Sequence, residues 1–368
     1  MDDPQAQASP IPLSVLTGFL GSGKTTLLNA LLKHPDMSET AVIINEFGEI
    51  GLDHLLVETA DEDIMEMSSG CLCCTIRGDL INTLNDLLER RDAGDIKRFE
   101  RVVIETTGLA DPAPVLHTIM NHPYLVVRYR LESVVTVVDA VNGMATLDAH
   151  AEAVKQAAVA DRLVISKTDL PAGGDGADAL IGRLRTLNPS ARVLDAQKGE
   201  AVPSRLFDAG LYDVDTKSPD VARWLGEEAY GDDHHHHHDV NRHDDHIQAF
   251  CVSADDAISM NGFNLFMELL QSYHGANLLR VKGIVKLEEQ PERPVVIHGV
   301  QHIWHPPVEL DAWPDSDKRT RLVFITRDIQ RAEIEGLLKA FTEQLSLDAS
   351  AFSSDKTLSV DPKSGLFE

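Results

Sequence analysis

Basic residues are few, cysteines are fewer, and no apolar run approaches the length of a membrane-spanning helix. Only 33 Lys and Arg stand against 59 Asp and Glu, a formal net charge of −26. That excess repels phosphate backbones and anionic headgroups, so it argues against nucleic acid and membrane surfaces as partners. It suits a soluble protein that meets cations. The first ten residues are polar and acidic and do not read as a targeting peptide. With four cysteines and no secretory signal, a reducing cytoplasm is expected and a stable disulfide is not. At 368 residues, two domains and a sizeable core are expected.

What is present begins at residues 18–25, Gly-Phe-Leu-Gly-Ser-Gly-Lys-Thr, a phosphate cradle of the form GxxxxGK[ST]. The apolar run 11–17 before it reads as a buried parallel strand. Leu27, Leu28, Leu31 and Leu32 after it recur at helical spacing. Strand, loop and helix are the context this motif requires, against the alternative of a ligand-free glycine turn. Gly18, Gly21, Ser22 and Gly23 bring backbone N–H groups to phosphate oxygens, and the helix N-terminus adds partial positive charge. Lys24 reaches the β- and γ-phosphates, the Thr25 hydroxyl ligates Mg²⁺, and Thr26 reaches the α-phosphate.

Downstream order agrees. The β-type run 101–104 ends in Glu105-Thr-Thr-Gly108. There a nucleotide hydrolase places its second metal-associated acid, so Glu105 joins Thr25 at Mg²⁺ and joins Lys24 as a catalytic candidate. The Gly108 N–H can meet the γ-phosphate. Further strands are read at 134–139 and 162–165. The second leads into Ser166-Lys167-Thr168-Asp169, a base-specificity loop of the NKxD type. Asp169 accepts from the guanine N1 and N2 donors, which adenine lacks, and Lys167 lies over the base. Ser166 replaces the usual Asn, which shortens or removes one contact. In isolation Lys-x-Asp also fits a surface turn.

Three of the four cysteines fall in Cys71-Leu-Cys73-Cys74. Thiolates are soft ligands that select Zn²⁺ or Cu⁺ over Mg²⁺. Three of them leave a fourth tetrahedral position open, which suits exchange rather than a closed structural site. A redox pair and buried structural cysteines are the alternatives. Leu80, Leu84, Leu87 and Leu88 follow at helical spacing, so the cluster caps a helix. The acidic segment 45–53 follows the apolar run 41–44, in the position of a first switch loop. Glu49 is its candidate fourth ligand, against a plain solvated loop.

Residues 213–247 turn acidic and poor in apolar side chains. They hold His234, His235, His236, His237, His238, His243 and His246, seven of the 16 histidines. Such a tract binds Zn²⁺, Ni²⁺ or Co²⁺ loosely as an auxiliary site, or is only a solvated linker. Residues 171–178 read as a surface loop. Strands are expected at 248–252, 278–287, 294–304 and 320–326, with helices at 261–273 and 328–345. Cys251 is expected in the core, and His274, His298, His302 and His305 are expected to be structural or superficial. The predicted organisation is an α/β P-loop nucleotide-hydrolase domain with a mostly parallel sheet (1–212), the His-rich linker (213–247), a smaller α+β domain (248–345) and a polar tail (346–368).

Together the segments GFLGSGKTT, NEFGEIGLD, CLCC, IETTGLADP and SKTD resemble the CobW-type GTPases, the metallochaperone group of the P-loop GTPases. So do Leu278-Leu279-Arg280-Val281-Lys282-Gly283 and Gly299-Val300-Gln301 in the second domain. The resemblance implies slow conversion of GTP to GDP and phosphate, coupled to carriage of a transition metal, most often Zn²⁺, on the CxCC thiolates. A metalloenzyme client would receive it. Co²⁺ for cobalamin synthesis or a nitrile-hydratase-type client, a regulatory GTPase with structural zinc, and a metal buffer are the competing readings. Client and oligomeric state stay open, a homo-oligomer included.

Overall fold

A computed structural model describes residues 10–44, 64–66, 75–207, 246–275, 277–301 and 303–352. The N-terminal part is one seven-stranded sheet flanked by helices. Its strands are β1 (Ile11–Thr17), β2 (Thr40–Ile44), β3 (Ile64–Glu66), β4 (Arg101–Glu105), β5 (Tyr129–Asp139), β6 (Arg162–Ser166) and β7 (Arg192–Asp195). They lie in the order β3-β2-β4-β1-β5-β6-β7, and every pairing is parallel. A parallel sheet covered on both faces needs continuous apolar strands, and β2 and β6 are buried at all five positions.

Helix α1 (Lys24–Leu32) lays Leu27, Leu28 and Leu31 on one face, against Val103, Val135, Val137 and Val164. On the other face, α2 (Thr75–Ala93) and α3 (Ala113–Asn121) pack Leu80, Leu84, Leu116 and Ile119 against Leu13, Val15 and Ile104. After the short α4 (Leu125–Arg128) and α5 (Gly143–Ala149), that second layer continues. Helices α6 (Ala151–Ala158) and α7 (Pro171–Leu187) cover Leu163 and Ile165. From β1 the chain moves toward β2, whereas from β4 it crosses β1 to reach β5. Connections therefore diverge at the carboxyl end of β1, where open α/β sheets hold ligands.

After α8 (Pro203–Leu206), the C-terminal part is an antiparallel sheet. Its strands are β8 (Ile247–Ala254), β9 (Leu278–Val285), β10 (Val295–Val300), β11 (Ile303–Trp304), β12 (Val308–Glu309) and β13 (Thr320–Arg327). The order is β11-β10-β9-β13-β8, with β12 also on β10. Helices α9 (Met260–Leu269) and α10 (Arg331–Phe352) pack Phe263, Phe266, Ile334 and Leu338 on one face, against Phe250, Val281, Leu322 and Phe324. The opposite face meets the nucleotide-hydrolase part: Leu279 and Ile325 touch Ala158, and Val300 and Ile303 join the cluster of Val115 and Ile119.

The α/β domain followed by a smaller α+β domain is thus as expected, with Cys251 buried in the second core. Two local readings are corrected. Residues 171–178 open α7 rather than forming a loop. The expected strand 294–304 is a hairpin, β10 and β11, turned at Gln301, whose φ is +55°. His298 and His305 are structural, one of the two roles expected: their rings stack with centroids 5.0 Å apart, and His298 is buried. Among the described residues, no helix is long and apolar enough to cross a membrane.

Candidate functional site

The loop after β1 supplies the cradle. Gly18, Gly21 and Gly23 all have positive φ, and Gly23 starts α1 with no side chain capping its first turn. The helix's first N–H groups are thereby left to an external anion. Lys24 is 8% exposed and curls over the loop, its Nζ donating to the carbonyls of Gly18 at 3.0 Å and Phe19 at 3.3 Å. One residue on, the Thr25 hydroxyl donates to Glu105 Oε1 at 2.8 Å. Parallel pairing of β1 with β4 puts Glu105 opposite Leu16, at the level where the loop begins. A hydroxyl and a buried carboxylate at that separation are hard oxygen donors, and the pair fits Mg²⁺.

The loop after β4 presses against the cradle. A Cβ on Gly108 would lie 2.6 Å from the Leu20 nitrogen, so only glycine permits the approach. Thr106 ties the two strand ends, donating its hydroxyl to Thr17 Oγ1 at 2.9 Å and its N–H to the Leu16 carbonyl.

The base-type loop after β6 is fastened to the same cradle. Ser166 Oγ donates to the Ser22 carbonyl at 2.6 Å, and Lys167 Nζ donates to the Gly21 carbonyl at 2.7 Å. Ser166 thus bonds the two loops directly. The Lys167 ammonium also pairs with Asp139 Oδ2 at 2.6 Å. Burial alone would push the Asp139 carboxyl up. Hydrogen bonds from Lys167, Asn142 and the Val141 N–H outweigh it and hold the group below its ordinary value. Asp169 is exposed at the rim, as is Thr26 on α1.

Sequence reasoning missed Asp139 and Gln156. Gln156 is fully buried on α6, and its Nε2 donates to the carbonyls of Gly108 at 3.2 Å and Ala110 at 3.0 Å. Below the phosphate loop lies a cavity of about 30 Å³, lined by Phe19, Leu20, Ser22, Thr136, Asp139 and Gln156 among others. The only advance signal was the placement of Asp139 at the end of a buried strand. A polar residue among the alanines of α6 marks no partner by itself.

Cys71, Cys73, Cys74, Glu49, His234, His235, His236, His237, His238 and His243 lie outside the described residues. His246 is described: its exposed ring meets Asp328 Oδ1 at 2.7 Å on the C-terminal domain. Among the described residues no group of three or more His, Cys, Asp or Glu could hold a metal. The described elements on either side of the soft-ligand segment are β3 and α2. Ile44 pairs with both Glu105 and Glu66, so the ends of β2, β3 and β4 form one row beside the cradle. The chain from Glu66 to Thr75, the first residue of α2, carries the cysteines.

A family model described as the CobW/HypB/UreG nucleotide-binding domain matches residues 12–195, and one for the cobalamin synthesis protein cobW C-terminal domain matches 247–342. The zinc chaperone YjiA of Escherichia coli (strain K12) is 33% identical over 330 residues, covering 89% of this chain and 97% of that protein. The zinc chaperone CobW of a Sinorhizobium species is 29% identical, covering 92% and 99%. The crystal structure of Zn(II)-bound YjiA GTPase from E. coli superposes with a TM-score of 0.68 at 28% identity, over 90% of this chain and 99% of that one.

Proposed function

The chain belongs to the CobW family, and from that premise we propose that it is a GTP-dependent zinc chaperone that hydrolyses GTP slowly and hands its metal to a client metalloprotein. The observation that carries the reading is the 2.8 Å contact of Thr25 with Glu105, in the strand row that also launches the segment bearing the cysteines.

Each part of the site has a role. The cradle N–H groups and Lys24 bind the β- and γ-phosphates, and Asp169 and Lys167 select guanine. Thr25 and Glu105 would hold Mg²⁺, which offsets negative charge on the phosphates when bound. Glu105 also stands where it can orient a nucleophilic water. Cys71, Cys73 and Cys74 receive Zn²⁺ as cargo, with Glu49 as a fourth donor, and the histidine tract 234–238 with His243 is an auxiliary site. His246 is engaged with Asp328 and is a weaker candidate for that role. Thiolate chemistry also admits Co²⁺.

If phosphate and thiolate segments move together, metal must alter GTP affinity by the same factor as GTP alters metal affinity. The test is Zn²⁺ affinity by competition with a chromophoric chelator, in GDP and in a non-hydrolysable GTP analogue. A shift of tenfold or more, about 1.4 kcal/mol of coupling, is expected in the wild type and is lost in Cys73→Ala. Equal affinities in the two nucleotides would reduce the protein to a GTPase with a structural metal.

A further inference from the structure

The C-terminal half of helix α6 touches both the loop beside the cradle and the C-terminal domain. There Gln156 grips the loop 106–112 through the carbonyls of Gly108 and Ala110. Lys155 holds the same loop through Asp111 Oδ2 at 3.3 Å. Gln156's own backbone carbonyl accepts the Thr136 hydroxyl at 2.7 Å, which seats the helix on β5.

The last residues of the helix are held as tightly. Asn188 Nδ2 donates to the carbonyls of Ala157, Ala158 and Ala160, stapling the end of α6 to α7. The Val159 carbonyl, at the helix C-cap, accepts from the Arg280 guanidinium of β9. Asp161 Oδ1 then receives both Arg280 and Lys282, the latter at 2.9 Å. Arg280 and Lys282 are two residues apart on one strand, so both face the helix. All three charged side chains are at most 3% exposed. Asp161 Oδ2 accepts the Val134 N–H at 2.9 Å, fixing the carboxylate to the sheet.

We propose that Gln156 is a positioning residue for the loop that meets the γ-phosphate, and that α6 couples this loop to the C-terminal domain through Val159 and Asp161. The inference rests on the GTP-binding reading above. Gly108 already lies against Leu20, so a γ-phosphate that draws in the Gly108 N–H must drag Gln156 or break its two bonds. Gln156 lies three residues before the Val159 C-cap, within the last turn of the helix, so a displacement at one passes to the other through a single hydrogen-bonded turn. Arg280 and Lys282 are the first groups of the other domain to feel it.

The experiment uses the full-length protein with Mg²⁺ and either GDP or guanosine imidotriphosphate. Hydrogen exchange is followed at residues 278–285, with affinities for both nucleotides. In the wild type, exchange at 278–285 is expected to differ at least threefold between the nucleotides. Gln156→Met, close in volume but unable to donate, is expected to erase that difference. It should also weaken the triphosphate analogue at least tenfold while GDP affinity changes less than threefold. A merely structural glutamine would lower both affinities together and leave the exchange difference in place, which overturns the proposal. If Gln156→Met does not fold, Lys282→Met decides from the far end: an analogue-to-GDP preference within twofold of wild type overturns the coupling, and a change of threefold or more supports it. A wild-type protein that fails to bind the analogue would sink the GTP reading itself. Binding without an exchange difference would sink only the coupling.

Discussion

Asp161→Asn is the most informative single substitution for the joint between the two domains. Asparagine keeps the shape, and its amide oxygen can still accept the Val134 N–H that Asp161 Oδ2 accepts at 2.9 Å. What disappears is, among the described residues, the anion that pairs with Arg280 and Lys282, which are 1% and 3% exposed. Burial opposes charge on Asp161, but the two cations more than offset it and hold the carboxyl well below its ordinary value. Lys282 is the weaker partner, because burial lowers its ammonium to about 8 even against the pull of Asp161. Without the anion Lys282 sheds its proton at neutral pH and escapes much of the cost. Arg280 cannot do so, since a guanidinium stays charged. Leaving one buried charge unpaired costs about 3–5 kcal/mol. With a urea m-value of about 3 kcal/mol/M, that is a midpoint lowered by about 1 M or more. Urea unfolding followed by fluorescence reads the C-terminal domain through Trp304 and Trp313. Adding Arg280→Met to Asp161→Asn is expected to recover most of the loss, because the stranded charge goes with it. A single variant within about 1 kcal/mol of wild type, or a double variant no better than the single, would refute the reasoning.

Three further outcomes follow from the geometry. Lys24→Ala removes the cation that arches over Gly18 and Phe19 and is expected to cut GTP turnover at least a hundredfold; unchanged turnover in a phosphate-release assay would remove the cradle assignment. Gly108→Ala forces a methyl to within 2.6 Å of the Leu20 nitrogen, so the loop must retreat. Titration should show affinity for a GTP analogue falling at least tenfold, with GDP much less affected. Acid should loosen the domain joint. Burial, with Arg280 beside it, lowers His305 to about 3, and His298, facing Arg280, His305, Asp161 and Lys282, also lies well below its ordinary value. Unfolding therefore takes up protons once the pH drops below about 6.5, and each histidine removes about 1.4 kcal/mol per pH unit, or about 2 kcal/mol by pH 5. Burial raises the Glu132 carboxyl, which works in the opposite sense at lower pH. His305→Phe, which keeps a ring on His298, isolates the term: its urea midpoint should fall less steeply than that of wild type between pH 6.5 and 5, and parallel curves would contradict this.

The cradle, Glu105 and the base-type loop were legible because each is a short run at the carboxyl end of an apolar strand, and a parallel sheet aligns those ends whatever lies between them. The same logic failed at 171–178, where two adjacent glycines and alternating small residues imitate a loop. Pro171 was the overlooked sign, since its fixed φ suits the first turn of a helix. Gly173 is there for a different reason: a Cβ would come 2.1 Å from the Lys167 carbonyl, so the first turn of α7 packs directly beneath the base-type loop. Glycine here marks a close approach of two backbones rather than a break in the helix.

The polar residues that organise the site were hidden for a related reason. Asp139 acts on Lys167, Gln156 on Gly108, and Asp161 on residues more than a hundred positions away. None of these pairs has a fixed spacing, so none leaves a motif. Arg280 and Lys282 did stand out, within a run that resembles the family's second domain, but the run alone gives no reason for two cations on a strand buried at every position. The fold supplies one. A buried strand can carry alternate basic residues only if the opposing surface presents an anion, and here the anion sits at the junction of α6 and β6, next to the strand that ends in Ser166. The second domain is therefore specified against the nucleotide-hydrolase domain in this orientation, because rotating β9 by one residue would bury both cations among the apolar side chains of α9 and α10.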